Sequence, residues 1–288
     1  MSERTQKTFN PFRVLSNSER EQHLADYQAF LEERDGPIDV DAFTLAHRES
    51  YLQELEDKPV RWTGDVDDAA FYQHVRKTGS PPLDERTSLL VSAALANVGE
   101  SYGVEVELDA FSKRPHRASE NPLYMHLMFE ERYHTRILDE MCRVCGLEPE
   151  RRSPSWHQRV IINWMMYLPD RLRWIPIFAG EVLGSVVFQL LLESVEHFSE
   201  EPEVEERVRS LLTEIWIDEV GHVAYLRAKM GPMGVQIARA LLPMIAASLF
   251  KDVPANNAIG LHRERVMERL RDGVPVPPGF GWMAPDPA

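Results

Sequence analysis

Two short stretches of this sequence place a histidine three residues after a glutamate, and a further acidic residue precedes each glutamate. The two stretches are Glu130-Glu131-Arg132-Tyr133-His134 and Asp218-Glu219-Val220-Gly221-His222. Each lies in a segment with helical periodicity, and side chains three residues apart project from the same face of a helix. Each stretch can therefore present one carboxylate and one imidazole to a metal ion.

The repetition of this pattern makes it informative. The chain has ten histidines, and a glutamate stands three residues before only two of them, His134 and His222. A single pair is weak evidence, because Glu and His at this spacing also occur on solvated helix faces. Two copies, each with a preceding acid and each followed by apolar helical sequence, favour a metal site over that alternative.

Two such pairs, together with one glutamate from each of two further helices, form the ligand set of di-iron and di-manganese sites in four-helix bundles. The two stretches resemble the ligand helices of the ferritin-like superfamily, and specifically those of its di-iron oxygenases and oxidases rather than its iron-storage members. The resemblance covers about residues 84–251. It implies an all-α fold built on a ferritin-like four-helix bundle, in which Glu130 and Asp218 accept hydrogen bonds from the ligand histidines.

The predicted helices and breakers divide the chain into three parts. Residues 1–83 are an N-terminal helical extension, residues 84–251 the di-metal bundle, and residues 252–288 a C-terminal helix with a proline-rich tail. We expect these parts to form one structural domain. The extension contains no residues that suggest chemistry, so we expect it to cover the bundle or to help it dimerise. The tail is expected to be extended and to lie on the surface or on a partner subunit.

Local signals place the helices. In the extension we predict helices at about 18–33, 41–56 and 67–77, the first opened by a capping box of Ser18 and Glu21. The bundle helices are predicted at about 83–111, 122–145, 174–192 and 204–230, with an aromatic connecting helix at 156–168 and a fifth apolar helix at 235–251.

Glu100 is the predicted ligand on the first bundle helix. It shares a helical stripe with the small residues Ala93 and Ala96, which leave room around its carboxylate. In an antiparallel hairpin, residues equidistant from the turn lie level, and the midpoint between Glu100 and Glu131 falls in the breaker-rich loop at 112–122. The alternative is a surface glutamate in a salt bridge.

Two glutamates compete to be the ligand on the third bundle helix. The following turn is centred near position 201, so the residue level with Glu219 lies near position 183. Glu181 misses that height by about two residues, or about 3 Å, whereas Glu193 misses it by about ten residues, or about 15 Å, so Glu181 is the predicted ligand.

The third bundle helix is also apolar enough to raise the question of whether it spans a membrane. Its polar stripe of Glu181, Ser185 and Gln189 indicates instead the centre of a soluble bundle.

Ser185 is a candidate catalytic residue. It stands four residues after Glu181, and in the bacterial multicomponent monooxygenases of this superfamily a hydroxyl residue at the equivalent position lies beside the oxygen-binding side of the site. Ordinary packing is the alternative. His126 has no glutamate three residues before it, and it is interpreted as a structural residue or as a partner of the ligands. Cys142 and Cys145 are interpreted as packing residues.

Charge and cysteine content narrow the class of protein. A formal charge of −14 without a basic cluster argues against nucleic acid and against an anionic membrane surface as partners. The polar N-terminus lacks the apolar core of a signal peptide, and two cysteines in one helix suit an intracellular protein, so we expect a cytoplasmic one. We also expect a homodimer.

The predicted metal ligands are Glu100, Glu131, His134, Glu181, Glu219 and His222. Four carboxylates balance two divalent ions, and oxygen and imidazole ligands suit two iron ions or two manganese ions. The resemblance implies a di-iron enzyme that activates O2 to oxidise a small organic substrate. Electrons come from a separate donor protein or from the substrate itself.

The nature of the substrate stays open at this point. The small residues Ala93, Ala96, Gly180 and Gly184 predict an apolar cavity. Arylamine N-oxygenases of this superfamily carry an additional histidine four residues before the last ligand glutamate, where this chain has Ile215, so hydroxylation, N-oxygenation and desaturation are all open. Iron storage or detoxification, and a di-manganese or structural metal site, are the alternatives to an oxygenase.

Overall fold

The helical periodicity along most of the sequence predicts a protein made mainly of α-helices. The structure, a computed structural model, describes residues 7–64, 66–113, 122–150, 152–253, 257–278 and 280–283. In chain order its α-helices are α1 (Asn17–Arg34), α2 (Ala46–Asp57), α3 (Asp68–Arg76), α4 (Glu85–Lys113), α5 (Pro122–Val144), α6 (Trp156–Tyr167), α7 (Asp170–Glu193), α8 (Pro202–Lys229), α9 (Pro232–Asp252) and α10 (Arg263–Asp272). The strands in the described ranges are only two residues long. The prediction of an all-α chain is confirmed.

The four longest helices form the centre of the fold. α4 packs against α5, α5 packs against α8, and α8 packs against α7. The apolar sequence of α7 explains its central place, because Phe178, Val182 and Val186 are fully buried in it. Full burial of one such side chain contributes about 1.5–3 kcal/mol. α7 is thus the apolar element against which α8 and α9 pack.

Of the N-terminal helices, α1 packs on α8 and α3 packs on α4. Tyr27 of α1 is fully buried and its ring stacks on Tyr225 of α8, with the centroids 5.6 Å apart. α1 comes very close to α8 at Gly221, since a Cβ at that position would lie 2.9 Å from Cε2 of Tyr27. The extension is therefore in direct contact with the helix that carries the second Glu-x-x-His pair.

Two antiparallel strand pairs accompany the helices. β1 (Thr8–Phe9) pairs with β4 (Val274–Pro275), and β2 (Ile38–Asp39) pairs with β3 (Thr44–Leu45). The first pair ties the start of the described chain to the tail. Gly273 precedes β4 with a φ of +95°, and a Cβ there would lie 2.9 Å from the carbonyl oxygen of Phe9. Glycine is required at this approach of two backbones. The tail is extended at β4, and residues beyond 283 lie outside the described ranges.

The start of α1 differs from the sequence prediction. Its capping box consists of Ser16 and Glu19 instead of Ser18 and Glu21. Oγ of Ser16 accepts the Glu19 N–H at 3.3 Å, and Oε2 of Glu19 accepts the Ser16 N–H at 2.7 Å. The sequence contains two overlapping Ser-x-x-Glu patterns, and the helix begins at the earlier one.

The start of α2 also differs, because the helix begins at Ala46 and not near Asp41. The preceding residues form the β2–β3 hairpin. Oδ1 of Asp39 accepts the N–H groups of Asp41 at 3.0 Å and Ala42 at 2.9 Å. A short acidic side chain that binds the backbone N–H groups after it stabilises a turn in place of a helix.

The predicted loop between the first two bundle helices is only partly described. α4 continues to Lys113 and α5 begins at Pro122, so the predicted midpoint at Pro115 and His116 lies outside the described ranges. By length and composition alone, Arg171–Phe198 and Pro232–Lys251 are apolar enough to cross a membrane. Most of the first stretch is buried inside the protein, as in the core helix of a soluble protein, whereas only 22% of the second is buried.

Candidate metal centre

The structure brings the six predicted ligands together between the four central helices. They are Glu100 on α4, Glu131 and His134 on α5, Glu181 on α7, and Glu219 and His222 on α8. Ligand-capable atoms of Glu100, Glu131 and His134 lie within 4.8 Å of one another, and so do those of Glu131, Glu181 and His222. Glu131 belongs to both groups and lies between them.

Glu219 reaches this cluster because α7 has a glycine opposite it. Oε1 of Glu219 lies 3.7 Å from Nδ1 of His134. A Cβ on Gly184 would lie 3.1 Å from Cδ of Glu219 and would overlap one of its carboxylate oxygens. The space at Gly184, which the sequence suggested for a substrate cavity, is occupied by the Glu219 carboxylate. A Cβ on Gly180, by contrast, would meet nothing within 4 Å.

Each ligand histidine is held by the acid that precedes the other glutamate. Nε2 of His134 lies 3.1 Å from Oδ2 of Asp218, and Nε2 of His222 lies 3.0 Å from Oε2 of Glu130. The acids Glu130 and Asp218 thus hold the histidines across the interface of α5 and α8. A histidine that donates its Nε2–H to a carboxylate has an unprotonated Nδ1, which is the form that binds a metal.

Both Nδ1 atoms face the cluster of carboxylates. Nδ1 of His222 lies 3.0 Å from Oε1 of Glu131 and 3.2 Å from Oε2 of Glu181. Nδ1 of His134 lies 3.4 Å from Oε2 of Glu131, and this buried atom makes no hydrogen bond to any described residue. The two imidazole rings are 5.8 Å apart between centroids. A buried nitrogen directed at carboxylates and without a hydrogen bond fits a metal ligand.

Two arginines from the N-terminal extension hold Asp218. Nη2 of Arg48 lies 2.6 Å and 2.8 Å from the two Asp218 oxygens, and Nη1 of Arg34 also donates to Asp218. Arg48 is buried and donates further to Asp35 at 2.8 Å and to Glu214 at 2.7 Å. Burial acts to raise the pKa of Asp218, but the two guanidinium groups outweigh it, so that this pKa lies well below its usual value.

Glu130 has fewer arginine contacts than Asp218. The hydroxyl of Tyr27 donates to its Oε2 at 3.3 Å, and Nη2 of Arg48 lies 3.8 Å from its Oε1. Burial and the nearby carboxylates of Asp218 and Asp35 raise the pKa of Glu130 to about 8. The pKa values of the two outer acids therefore shift in opposite directions, because arginines lower that of Asp218 whereas burial and neighbouring carboxylates raise that of Glu130.

Sequence reasoning missed Tyr27, Arg34 and Arg48, and assigned no chemistry to the extension. Tyr27 lies on the buried stripe of α1, where an aromatic residue is normally interpreted as a packing residue. Arg34 and Arg48 lie in polar helices, where no local pattern separates a buried arginine from a solvated one. The acids Glu130 and Asp218 that they contact lie more than a hundred residues away in the sequence, so no spacing rule could have found these contacts.

The pKa values of the predicted ligands show that the cluster needs positive charge to offset its carboxylates. Burial, followed by repulsion from neighbouring carboxylates, raises the pKa of Glu100 and of Glu219 well above the usual value. Burial acts to lower the pKa of His134, but Glu131 and Asp218 outweigh it and raise this pKa to about 10. Without a cation, protons must offset the clustered negative charge. Two divalent cations offset the same charge, so the residues present fit a pair of metal ions.

Ser185 and Glu193, the other candidates on α7, lie in different surroundings. Ser185 is buried, and its hydroxyl donates to the carbonyl oxygen of Val182 in its own helix at 3.0 Å. Its contact with oxygen stays a prediction. Glu193 is exposed and accepts hydrogen bonds from Arg265 at 3.2 Å and Arg269 at 2.9 Å. Glu193 therefore contacts α10, whereas Glu181 lies beside His222.

The remaining candidates occupy buried positions. His126 lies with its Nδ1 4.0 Å from Oδ2 of Asp35, which itself binds Arg48. It is therefore close to the outer charges and not to the ligands. Cys142 and Cys145 are free and buried, and burial raises the pKa of each thiol to about 12.

The side of the centre formed by α4 and α7 is less enclosed than the rest. Glu100 and Glu181 are half-buried, whereas Glu219 and both histidines are buried. α6 packs on this side, because it contacts both α4 and α7. The Asn163 amide of α6 donates to the Tyr102 hydroxyl of α4 at 2.6 Å.

Comparisons of the chain with protein-family models, with curated proteins and with solved structures found no match.

Proposed function

We propose that this protein is a ferritin-like, non-haem di-iron oxidoreductase that uses O2 to oxidise a small organic substrate. The observation that carries the proposal is the convergence of four glutamates and two histidine Nδ1 atoms from four helices. Glu131 belongs to two overlapping groups of ligand-capable atoms, which supports two ions rather than one. The buried hydrogen bonds of both Nε2 atoms argue against an incidental cluster of acids.

The donor set determines which ions fit. Two divalent ions held by Glu100, Glu131, His134, Glu181, Glu219 and His222 would be balanced by the four carboxylates. Carboxylate and imidazole donors without thiolate favour iron or manganese over structural zinc. Once bound, a pair of ferrous ions supplies electrons for the reduction of O2.

The protein's own residues orient the ligands and leave access for a substrate. Glu130 and Asp218 keep the proton of each histidine on Nε2 and so make Nδ1 the ligand atom. The half-buried Glu100 and Glu181 and the open space at Gly180 support entry of a small apolar molecule between α4 and α7. Further electrons come from a separate donor protein or from the substrate.

The test begins with metal content. The full-length protein is loaded with ferrous iron without oxygen, and its iron is counted and followed by Mössbauer and optical spectroscopy as O2 is added. We expect two irons per chain, both oxidised rapidly by O2. Absence of iron, or ferrous iron that never reacts with O2, contradicts the proposal. Manganese with peroxide disproportionation points to the di-manganese alternative, and a cage seen by light scattering points to iron storage.

Variants test the ligand assignment. Glu131→Ala and Glu219→Ala should each abolish binding of two irons and the reaction with O2. Glu193→Gln is the matched control, because Glu193 lies on α7 but pairs with two arginines of α10. It should bind two irons as the unaltered protein does. Retention of both irons in Glu131→Ala or Glu219→Ala shows that these residues are not the ligands.

A further inference from the structure

α6 presents an apolar face to solvent. Trp156, Val160, Trp164 and Tyr167 recur at intervals of three and four residues and so form one stripe. Trp156 is 71% exposed, Trp164 62% and Tyr167 69%. Only Met166 of this helix is buried. An apolar stripe usually faces the core, whereas this one faces outward.

The size of this surface exceeds that of scattered exposed residues. A buried aromatic side chain covers about 150–250 Å², so three aromatic side chains that are two-thirds exposed present roughly 300–500 Å². The largest apolar patch of a typical monomer is about 300–600 Å² and is often functional. Val160 and Leu172, 57% and 51% exposed, enlarge the patch. Such a surface marks a site of interaction.

Contacts with its neighbours hold α6 in place. The Asn163 amide donates to the Tyr102 hydroxyl of α4 at 2.6 Å, and Met166 is buried beside it. The apolar face is therefore directed outward by the packing of the helix.

The charge around α6 is opposite to that of the chain. The segment 152–173 contains four arginines and one acid, although the whole chain has a formal charge of −14. Arg159 and Arg171 are exposed, and among the described residues neither forms an ion pair. α6 itself contains no acid. The partner of this face must therefore supply negative charge as well as an apolar surface.

We propose that α6 is a membrane-docking helix that inserts Trp156, Val160, Trp164 and Tyr167 shallowly into an anionic phospholipid surface. Trp and Tyr side chains favour the level of the headgroups, and arginines beside an apolar helix face bind the phosphates. A second copy of the chain fits less well, because two α6 helices would bring arginines together without acids between them. The proposal does not depend on the metal centre.

This docking surface departs from the expectation drawn from composition. The formal charge of −14 and the lack of a basic cluster argued against an anionic membrane, whereas the proposal rests on the exposed Arg159 and Arg171 and on the exposed aromatic residues of α6. α6 packs on α4 and α7, so docking would direct the less enclosed side of the metal centre toward the bilayer. An apolar substrate dissolved in the bilayer would then have a short path to the site.

Flotation of the full-length protein with vesicles tests the proposal. The vesicles consist of phosphatidylcholine alone or of phosphatidylcholine mixed with phosphatidylglycerol. We expect binding to the mixed vesicles, weaker binding to phosphatidylcholine alone, and weakening by salt. The Trp156→Ser/Trp164→Ser variant should bind at least tenfold more weakly, while Arg159→Gln/Arg171→Gln should lose the preference for phosphatidylglycerol. Because all four side chains are exposed, both variants should melt as the unaltered protein does.

A matched control lies on α9, where Met233 and Met244 are 77% and 63% exposed. Met233→Ser/Met244→Ser should keep vesicle binding. Equal loss in this variant overturns the assignment to α6, and so does failure of the unaltered protein to bind either vesicle. A dimer in light scattering that dissociates in Trp156→Ser/Trp164→Ser shows instead that the face binds a second copy. Capture of an acidic protein without any vesicle binding also overturns the proposal.

Discussion

At the scale of single residues, the proposed metal centre depends on which nitrogen of each histidine carries the proton. The acids Glu130 and Asp218 hold Nε2 of His222 and His134, respectively, across the interface of two helices. Each acid thus acts on the histidine of the other motif. Loss of one acid should therefore affect the ligand on the opposite helix.

Glu130→Gln should weaken metal binding about 10–100-fold, because a neutral amide no longer raises the basicity of His222 or fixes its tautomer. Titration of the metal-free protein with ferrous or manganous ion measures the affinity. Histidine NMR of the metal-free variant should show a change at His222, to which Glu130 is bonded, and not at His134. An unchanged affinity contradicts the role given to the crossed pairs.

Gly184→Ala should abolish binding of the second metal ion, because the new methyl group overlaps the Glu219 carboxylate and displaces it from the cluster. Gly180→Ala is the matched control on the same helix, since a Cβ there meets nothing within 4 Å. Metal content by mass spectrometry and the melting temperature are measured for both variants. Two ions in Gly184→Ala show that Glu219 is not a ligand in this position.

At the scale of elements, the N-terminal extension contributes contacts to the proposed metal centre. α1 and α2 lie on α8 and bring Tyr27, Arg34 and Arg48 to the acids behind the ligand histidines. The guanidinium of Arg48 contacts three acids, Asp35, Glu214 and Asp218. A buried arginine between several acids is costly to remove, because the acids remain buried without a counter-charge.

Arg48→Met should lower the free energy of unfolding by about 3–5 kcal/mol, the usual cost of leaving one partner of a buried ion pair. Urea denaturation followed by circular dichroism measures it. The matched control is Lys58→Gln at the end of the same helix, because Lys58 is 73% exposed and pairs with Glu54 on the surface. That change should cost less than about 0.5 kcal/mol. Equal effects of the two changes contradict the buried network.

At the scale of the whole molecule, one buried arginine joins the beginning of the chain to α8. Nη1 of Arg227 donates to the carbonyl oxygen of Asn10 at 3.1 Å, and its guanidinium lies 4.9 Å from the Phe9 ring. Nη2 also lies within 3.5 Å of Nδ1 of His23 on α1. Burial and then the charge of Arg227 lower the pKa of His23 to about 4, so His23 is neutral in the folded protein.

This histidine should make the protein sensitive to acid. The pKa of His23 falls from 6.5 in the unfolded chain to about 4 in the folded one, so the unfolded state binds a proton more readily between these values. The free energy of unfolding therefore decreases as the pH falls from 6.5 to 4 and changes little from this cause below 4. His23→Gln should reduce that decrease in urea denaturation curves. Parallel curves for both proteins contradict this origin of acid sensitivity.

Prediction from sequence succeeded where the relation between residues is local. A spacing of three residues in a helix places Glu131 beside His134 and Glu219 beside His222. Counting residues from the turns also predicted that Glu181, and not Glu193, lies near His222, as the structure has it, while the role of Glu181 as a ligand stays a prediction. The choice of cap at Ser18 was wrong, because two overlapping Ser-x-x-Glu patterns both fit a capping box and the helix uses the one at Ser16 and Glu19.

The sequence by itself determined the helices and the two Glu-x-x-His pairs, from which the metal ligands are predicted, because helical geometry depends on neighbours a few residues apart. Tertiary structure alone decided the crossed pairing of histidines and acids, the counter-charges from Arg34 and Arg48, and the outward direction of α6. Hydrogen bonds and ion pairs depend on distances of about 3 Å between residues far apart in the chain. Those distances are set only when helices pack against one another.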